Sequence, residues 1–142
     1  MKENKKIIIN IIIFIIGFLS VICFKTVFRN NYTLNVPKLS DILFIELQEN
    51  EKNKNITIED NDNILEIYEV ISNNKKATIT ESINDTPIES KYIKIELFNK
   101  EKEITTLFAY KGDNEKYFIE QPYNGIYEIT EKDYNTFTQY FL

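Results

Sequence analysis

The chain contains no histidine, and its single cysteine, Cys23, lies inside an apolar run. Those two facts remove most of the side chains that carry catalysis. Without imidazole, serine and cysteine triads in their usual form lose the general base. Histidine and cysteine metal sites lose their ligands. Gly17, Gly112 and Gly125 are isolated, so no Gly-rich loop can cradle a phosphate. Carboxylates are plentiful, but most fall at alternating strand positions or in turns, as a solvated face places them. No motif sets two of them together for acid–base hydrolysis. The stretch Glu59-Asp60-Asn61-Asp62-Asn63 resembles the opening of a calcium loop but lacks the glycine at the sharp turn and the terminal glutamate. It reads instead as a helix cap. The expectation is a protein that is not an enzyme and holds no cofactor or metal; a hydrolase using carboxylates alone is the remaining enzymatic alternative.

Two groups of residues suit recognition. The polar loop SINDTPIES (82–90) carries Ser82, Asn84 and Asp85, residue types that hydrogen-bond neighbouring backbone and build Asx-type turns, followed by Pro87. Tyr110, Tyr117, Tyr123 and Tyr127 crowd the last hairpins, and tyrosine joins apolar area to a polar tip. These tyrosines read either as strand residues covering the core or as a peptide- or glycan-binding face. The expected interaction residues are Ser82, Asn84, Asp85, Pro87, Gln121, Tyr123 and Tyr127.

The elements that must position them follow from periodicity. DILFIELQ (41–48) alternates, with Leu43, Ile45 and Leu47 on one face, and ITI (56–58) is a short partner strand. Ile64, Ile67, Tyr68 and Ile71 share one helical face. Acidic residues at its start and Lys75 and Lys76 at its end match the helix dipole. ATIT (77–80) reads as a strand. YIKIELF (92–98), ITTLFAY (104–110), KYFIEQ (116–121) and IYEI (126–129) read as a hairpin meander, with Asn124-Gly125 as a type I′ turn. Pro122 puts the preceding strand end at an edge or outside the ladder. Thr130 and Asp133 suit a capping box for a last helix that presents Tyr134, Phe137 and Phe141. The fold class is therefore α+β, an antiparallel sheet with two helices packed on one side.

The N-terminal part is a different kind of sequence. Residues 7–24 are broken only by Asn10, Gly17 and Ser20. As a helix the run spans roughly 27 Å, close to a bilayer core of roughly 30 Å. It is longer than a signal-peptide core and has no small-residue cleavage site after it. The expected organisation is a cytoplasmic tail (1–6), a transmembrane signal anchor (7–28), a linker (29–40) and an extracytoplasmic domain (41–142). Lys2, Lys5 and Lys6 favour a cytoplasmic N-terminus. Lys2, Lys5, Lys6, Lys25 and Arg29 against Glu3 give residues 1–30 a charge of +4, so the chain's −5 leaves −9 on residues 31–142. A domain that acidic is repelled by nucleic acid, which is not expected as a partner.

Thr80, Ser82, Asn84, Asp85 and Pro87 in the pattern T-x-S-x-N-D-x-P, YFIEQPYNGIYEI (117–129) and YIKI (92–95) together resemble a family of small extracytoplasmic domains of unknown function. Its members are lipoproteins and anchored proteins of low-GC Gram-positive bacteria. The resemblance implies a cell-envelope location and no activity or catalytic residue. Ile22 before Cys23 departs from the lipoprotein members, which need a small residue there. The expected function is a membrane-anchored module that binds or regulates an envelope protein; the alternative is a binder of small ligands or cell-wall fragments.

Overall fold

Alternating apolar and polar residues build six antiparallel strands: β1 (Ile42–Glu49), β2 (Lys54–Ile58), β3 (Tyr92–Asn99), β4 (Ile104–Lys111), β5 (Tyr117–Glu120) and β6 (Ile126–Ile129). They form one sheet in the order β2-β1-β3-β4-β5-β6. The computed structural model describes residues 11–18, 31–73, 78, 80–113 and 115–142. Residues Met1–Asn30 and Asn31–Leu142 are two separate units, and the sheet belongs to the second. The expected tail at 1–6 lies outside the described residues, as does most of the expected span at 7–28. Residues 11–18 are helical, and Ile11, Ile12, Ile13, Phe14, Ile15, Ile16 and Phe18 are exposed. Among the described residues no helix is long and apolar enough to cross a membrane.

Register sorts the strand residues onto two faces, because successive side chains point to opposite sides. Ile45, Leu97 and Thr105 align across β1, β3 and β4, as do Leu47, Ile95 and Leu107; Ala109, Ile119 and Tyr127 continue the same face through β4, β5 and β6. This face is the core. Helices α1 (Asn61–Asn73) and α2 (Glu131–Thr138) bury Ile64, Ile67, Val70, Ile71 and Phe137 in the same cluster. A 3₁₀ turn (Gln139–Phe141) adds Phe141. The opposite face carries Phe44, Glu46, Lys94, Glu96, Phe98, Phe108, Tyr110, Phe118, Glu120 and Glu128.

The helix starts follow local chemistry. The Asp60 carboxylate accepts from the backbone N–H groups of Asp62 and Asn63, each at 3.1 Å, so the acidic stretch at 59–63 caps α1. Thr130 Oγ1 accepts from Asp133 N–H at 3.1 Å, and Asp133 returns an acceptor to Thr130 N–H, closing the capping box on α2.

Four expectations change. Leu43 is half exposed, because the register is irregular between Ile42 and Phe44 and Ile42 takes the buried place. Of the expected strand ATIT, Thr78 forms an isolated bridge with Tyr32 and Thr80 is in no strand, while Ala77 and Ile79 lie outside the described residues. The stretch expected as a linker is packed from residue 31 onward, with Leu34 in the core and Tyr32 on Thr78. Asn124-Gly125 is not the centre of a type I′ turn. Gln121 accepts from Asn124 N–H at 3.0 Å, Pro122 and Tyr123 are the central pair, and Tyr123 holds the positive φ of 57°. Gly125 has no positive φ and is required for space. A Cβ there would meet Thr78 Cγ2 at 2.7 Å, Tyr127 Oη at 2.9 Å and Tyr32 Cβ at 2.9 Å.

Candidate functional site

The second face of the sheet is closed at its β4-β5-β6 end by the polar loop. Pairing puts Phe108 opposite Glu120, Tyr110 opposite Phe118, and Glu120 opposite Ile126, all on this face. Ser82 is buried, and its hydroxyl donates to Glu120 Oε1 at 2.6 Å, a short contact typical of a hydroxyl on a carboxylate. Glu120 is only 3% exposed although it sits on a four-residue strand. The Tyr110 phenol also hydrogen-bonds Glu120, and its pKa is raised by burial first, then by the Glu120 charge, that hydrogen bond and Glu89. A buried carboxylate is costly unless it is hydrogen-bonded, so the two hydroxyls account for its tolerance.

Above this floor lies a cavity of about 310 Å³. Its walls are Ser82, Ile83, Ile88, Tyr110 and Ile126, with carboxylates from Glu81, Glu89 and Glu120. Ile83 is 70% exposed and Ile88 is 89% exposed, large apolar side chains held in water by a loop. Pro87 between them is buried, and Asn84 is exposed at the cavity wall.

Asp85 and Tyr123, 38 residues apart, meet outside the cavity, where Tyr123 Oη donates to Asp85 Oδ1 at 2.6 Å. That bond raises the Tyr123 pKa, with the Asp85 charge adding to it. Tyr123 is strongly exposed because its left-handed backbone at the turn directs it away from the sheet.

The expected interaction residues therefore separate. Ser82, Asn84, Asp85, Pro87 and Tyr123 come together on the loop side of the domain. Gln121 and Tyr127 serve inside it. Gln121 is buried and pairs with the backbone of Asn35 in both directions at 2.8 Å, fastening the N-terminal stretch of the domain to the sheet. Asn124 Nδ2 donates to Gln121 Oε1 at 2.7 Å and also to Thr33 O at 2.8 Å. Tyr127 lies on the core face, and burial pushes its phenol up to about 12.

Glu120, Ile83 and Ile88 were not singled out by sequence reasoning. The one available signal for Glu120 was its place two residues after Phe118 on a short strand, which puts both on the face opposite Ile119. That signal does not say whether the face is covered.

An α+β domain with one helix-packed face and one loop-covered face is the class these features define. The chain belongs to the DUF5301 family, described as a domain of unknown function (DUF5300), whose model matches residues 30–128. No curated protein and no solved structure matches the chain.

Proposed function

We propose that this protein is a non-enzymatic binding module of the bacterial envelope, tethered with its N-terminus inside by residues 7–28, and that loop 82–90 with Tyr123 receives a protein partner. One observation carries the reading: Ile83 and Ile88 stand 70% and 89% exposed at the walls of a cavity that also holds Glu81, Glu89 and Glu120. Exposed apolar side chains around a carboxylate-lined recess suit a partner segment that brings apolar area and a basic side chain together. The Asp85–Tyr123 pair lies on the same loop and offers an aromatic contact with a polar tip. The lack of histidine in the chain, and of cysteine in residues 31–142, underlies the non-enzymatic part. The apolar run at 7–28 and the resemblance to lipoproteins and anchored proteins of low-GC Gram-positive bacteria underlie the location.

Crosslinking and co-purification of the full-length protein from native membranes test this reading, with an Asp85→Ala/Tyr123→Ala variant beside it. One abundant partner, lost in the variant, is the expected result. An unchanged partner set would detach the function from this loop. A second reading, a small-ligand binder, draws on the cavity volume of about 310 Å³, at the lower end of ligand sites. It predicts a thermal shift with a cationic metabolite or cell-wall fragment that Glu120→Gln abolishes.

A further inference from the structure

Two recesses adjoin on the loop-covered face. The first is the cavity of about 310 Å³ walled by Ile83 and Ile88. The second, of about 470 Å³, is lined by Thr80, Gly112, Asp113 and Phe118. Both also include Glu89, Tyr110 and Ile126, so they are two lobes of one groove. The Tyr110 and Phe118 rings lie side by side in it, with centroids 5.7 Å apart.

The charge of this groove is one-sided. Glu81, Glu89, Glu120 and Asp113 line it, and no described lysine or arginine does. Elsewhere Glu49, Glu51, Glu96, Glu115 and Glu128 each pair with a lysine. Among the described residues, none of the four groove carboxylates does. Glu120 is the most confined of the four, only 3% exposed, and it is met from the first lobe. Ser82 and Tyr110 donate to it, but hydroxyl donors leave its charge in place. Burial first, then the Glu120 charge and hydrogen bond, then Glu89, raise the Tyr110 pKa, so the phenol keeps its proton. A confined negative charge with no cation beside it is costly, and a cation entering between Glu120 and Glu89 offsets that cost.

Resting on the binding role argued above, we propose that the protein partner inserts a lysine side chain into the first lobe, its methylenes along Ile83 and Ile88 and its ammonium on Glu120 and Glu89. A long charged side chain of this kind buries its stem against apolar surface and keeps its head among polar groups. Arginine fits less well. Its fork takes a carboxylate best by both oxygens at once. Two hydroxyls already occupy acceptor positions on Glu120, which favours a compact ammonium that needs only one. The second lobe is more space than a free amine fills, and it suits the partner's chain on either side of the lysine.

The test titrates the full-length protein in neutral detergent micelles with capped tripeptides that carry one residue between two alanines, followed by NMR of its isoleucine methyl groups. The lysine peptide is expected to move the Ile83, Ile88 and Ile126 signals and to saturate. The arginine peptide is expected to bind several-fold more weakly, and the Nε-acetyl-lysine peptide not to bind. Glu120→Gln keeps an acceptor for both hydroxyls, so its urea midpoint is expected to stay near that of the native chain. Its affinity for the lysine peptide is expected to fall roughly tenfold or more. Asp41→Asn makes the same charge change outside the groove and is expected to leave binding unchanged. No saturable shift with the lysine peptide, equal binding of the arginine peptide, or equal losses in the two variants would overturn the proposal. Tighter binding of free n-butylamine than of the lysine peptide would also overturn it, in favour of a small amine. Co-purification from native membranes separates this proposal from the reading it rests on. A partner lost in Asp85→Ala/Tyr123→Ala but kept by Glu120→Gln would leave the binding face standing and remove the lysine. A partner kept by both variants would remove both.

Discussion

The two faces of the sheet are built from the same strands and have opposite chemistry. On one, Ile45, Leu47, Ile95, Leu97, Leu107 and Ile119 are fully buried beneath Ile67, Ile71 and Phe137. On the other, Phe44 stacks on Phe98 at 4.4 Å, Lys94 pairs with Glu96 at 2.7 Å, and Glu120 lies under Ser82. The helices close the first face with apolar side chains, and at its margin Glu49 Oε2 is buried without a hydrogen-bond partner among the described residues. A loop closes the second only in part, so the Glu120 carboxylate is buried with Ser82 and Tyr110 while Tyr123 and Asp85 bond to each other in the open. The polar groups of the candidate site collect on the face that the core does not need.

Substitutions can break or sharpen that contrast. The largest effect is expected on the core face, where Phe137→Ala should cost roughly 3–5 kcal/mol, measured as a urea midpoint shift at constant m-value. Domains of this kind are stable by roughly 5–15 kcal/mol, so the variant should sit close to unfolding. A cost under about 1 kcal/mol would mean that the helix layer is not the core's lid.

On the second face the expected effect is smaller and conditional. Ser82→Ala strips a donor from a buried carboxylate and should cost about 1–3 kcal/mol. The same change in a Glu120→Leu background should be nearly neutral, because the acceptor is gone. Equal costs in both backgrounds would show that Ser82 contributes packing rather than the bond to Glu120.

The smallest expected effect at neutral pH is that of Tyr127→Phe, and it grows in alkali. Burial pushes the Tyr127 phenol up to about 12, and Tyr110 is raised in the same direction. A raised folded pKa means that the folded state holds its proton where the unfolded chain, near 10, releases it. The stabilising contribution is therefore complete below about pH 10 and is lost as pH rises from there through about 12. Tyr127→Phe should flatten this alkaline limb of stability, followed by tyrosinate absorbance and urea midpoints. An unchanged limb would assign it to Tyr110 and the second face.

Much of the fold was legible because it rests on local patterns. The alternation in YIKIELF and ITTLFAY, the i, i+3, i+4, i+7 spacing of Ile64, Ile67, Tyr68 and Ile71, and the Thr130–Asp133 pair each encode an element within a few residues. The errors fall where distant segments meet. Asn124-Gly125 carries the strongest local hairpin signal in the chain, yet Gly125 is there because Tyr32 and Thr78 pass within 3 Å of its missing Cβ. Gln121 reads as an interaction residue at the end of a strand, and its side chain holds the backbone of Asn35, 86 residues away.

The candidate site divides along the same line. The loop's turn-forming residues and the tyrosine cluster could be read directly, since Asx chemistry and aromatic character are properties of the residues themselves. Sequence by itself thus determined the element types, the apolar stripe of each, the charge asymmetry between the two units and the poverty of catalytic groups. Only tertiary structure decided which strand face the loop would cover, that Glu120 would be buried with Ser82 and Tyr110, that Tyr123 would find Asp85, and that Thr78 and Thr80 would bond to the edge of β6. Those outcomes depend on strand order and on where a long connection runs back over the sheet, and a period of 2 or 3.6 residues carries no information about either.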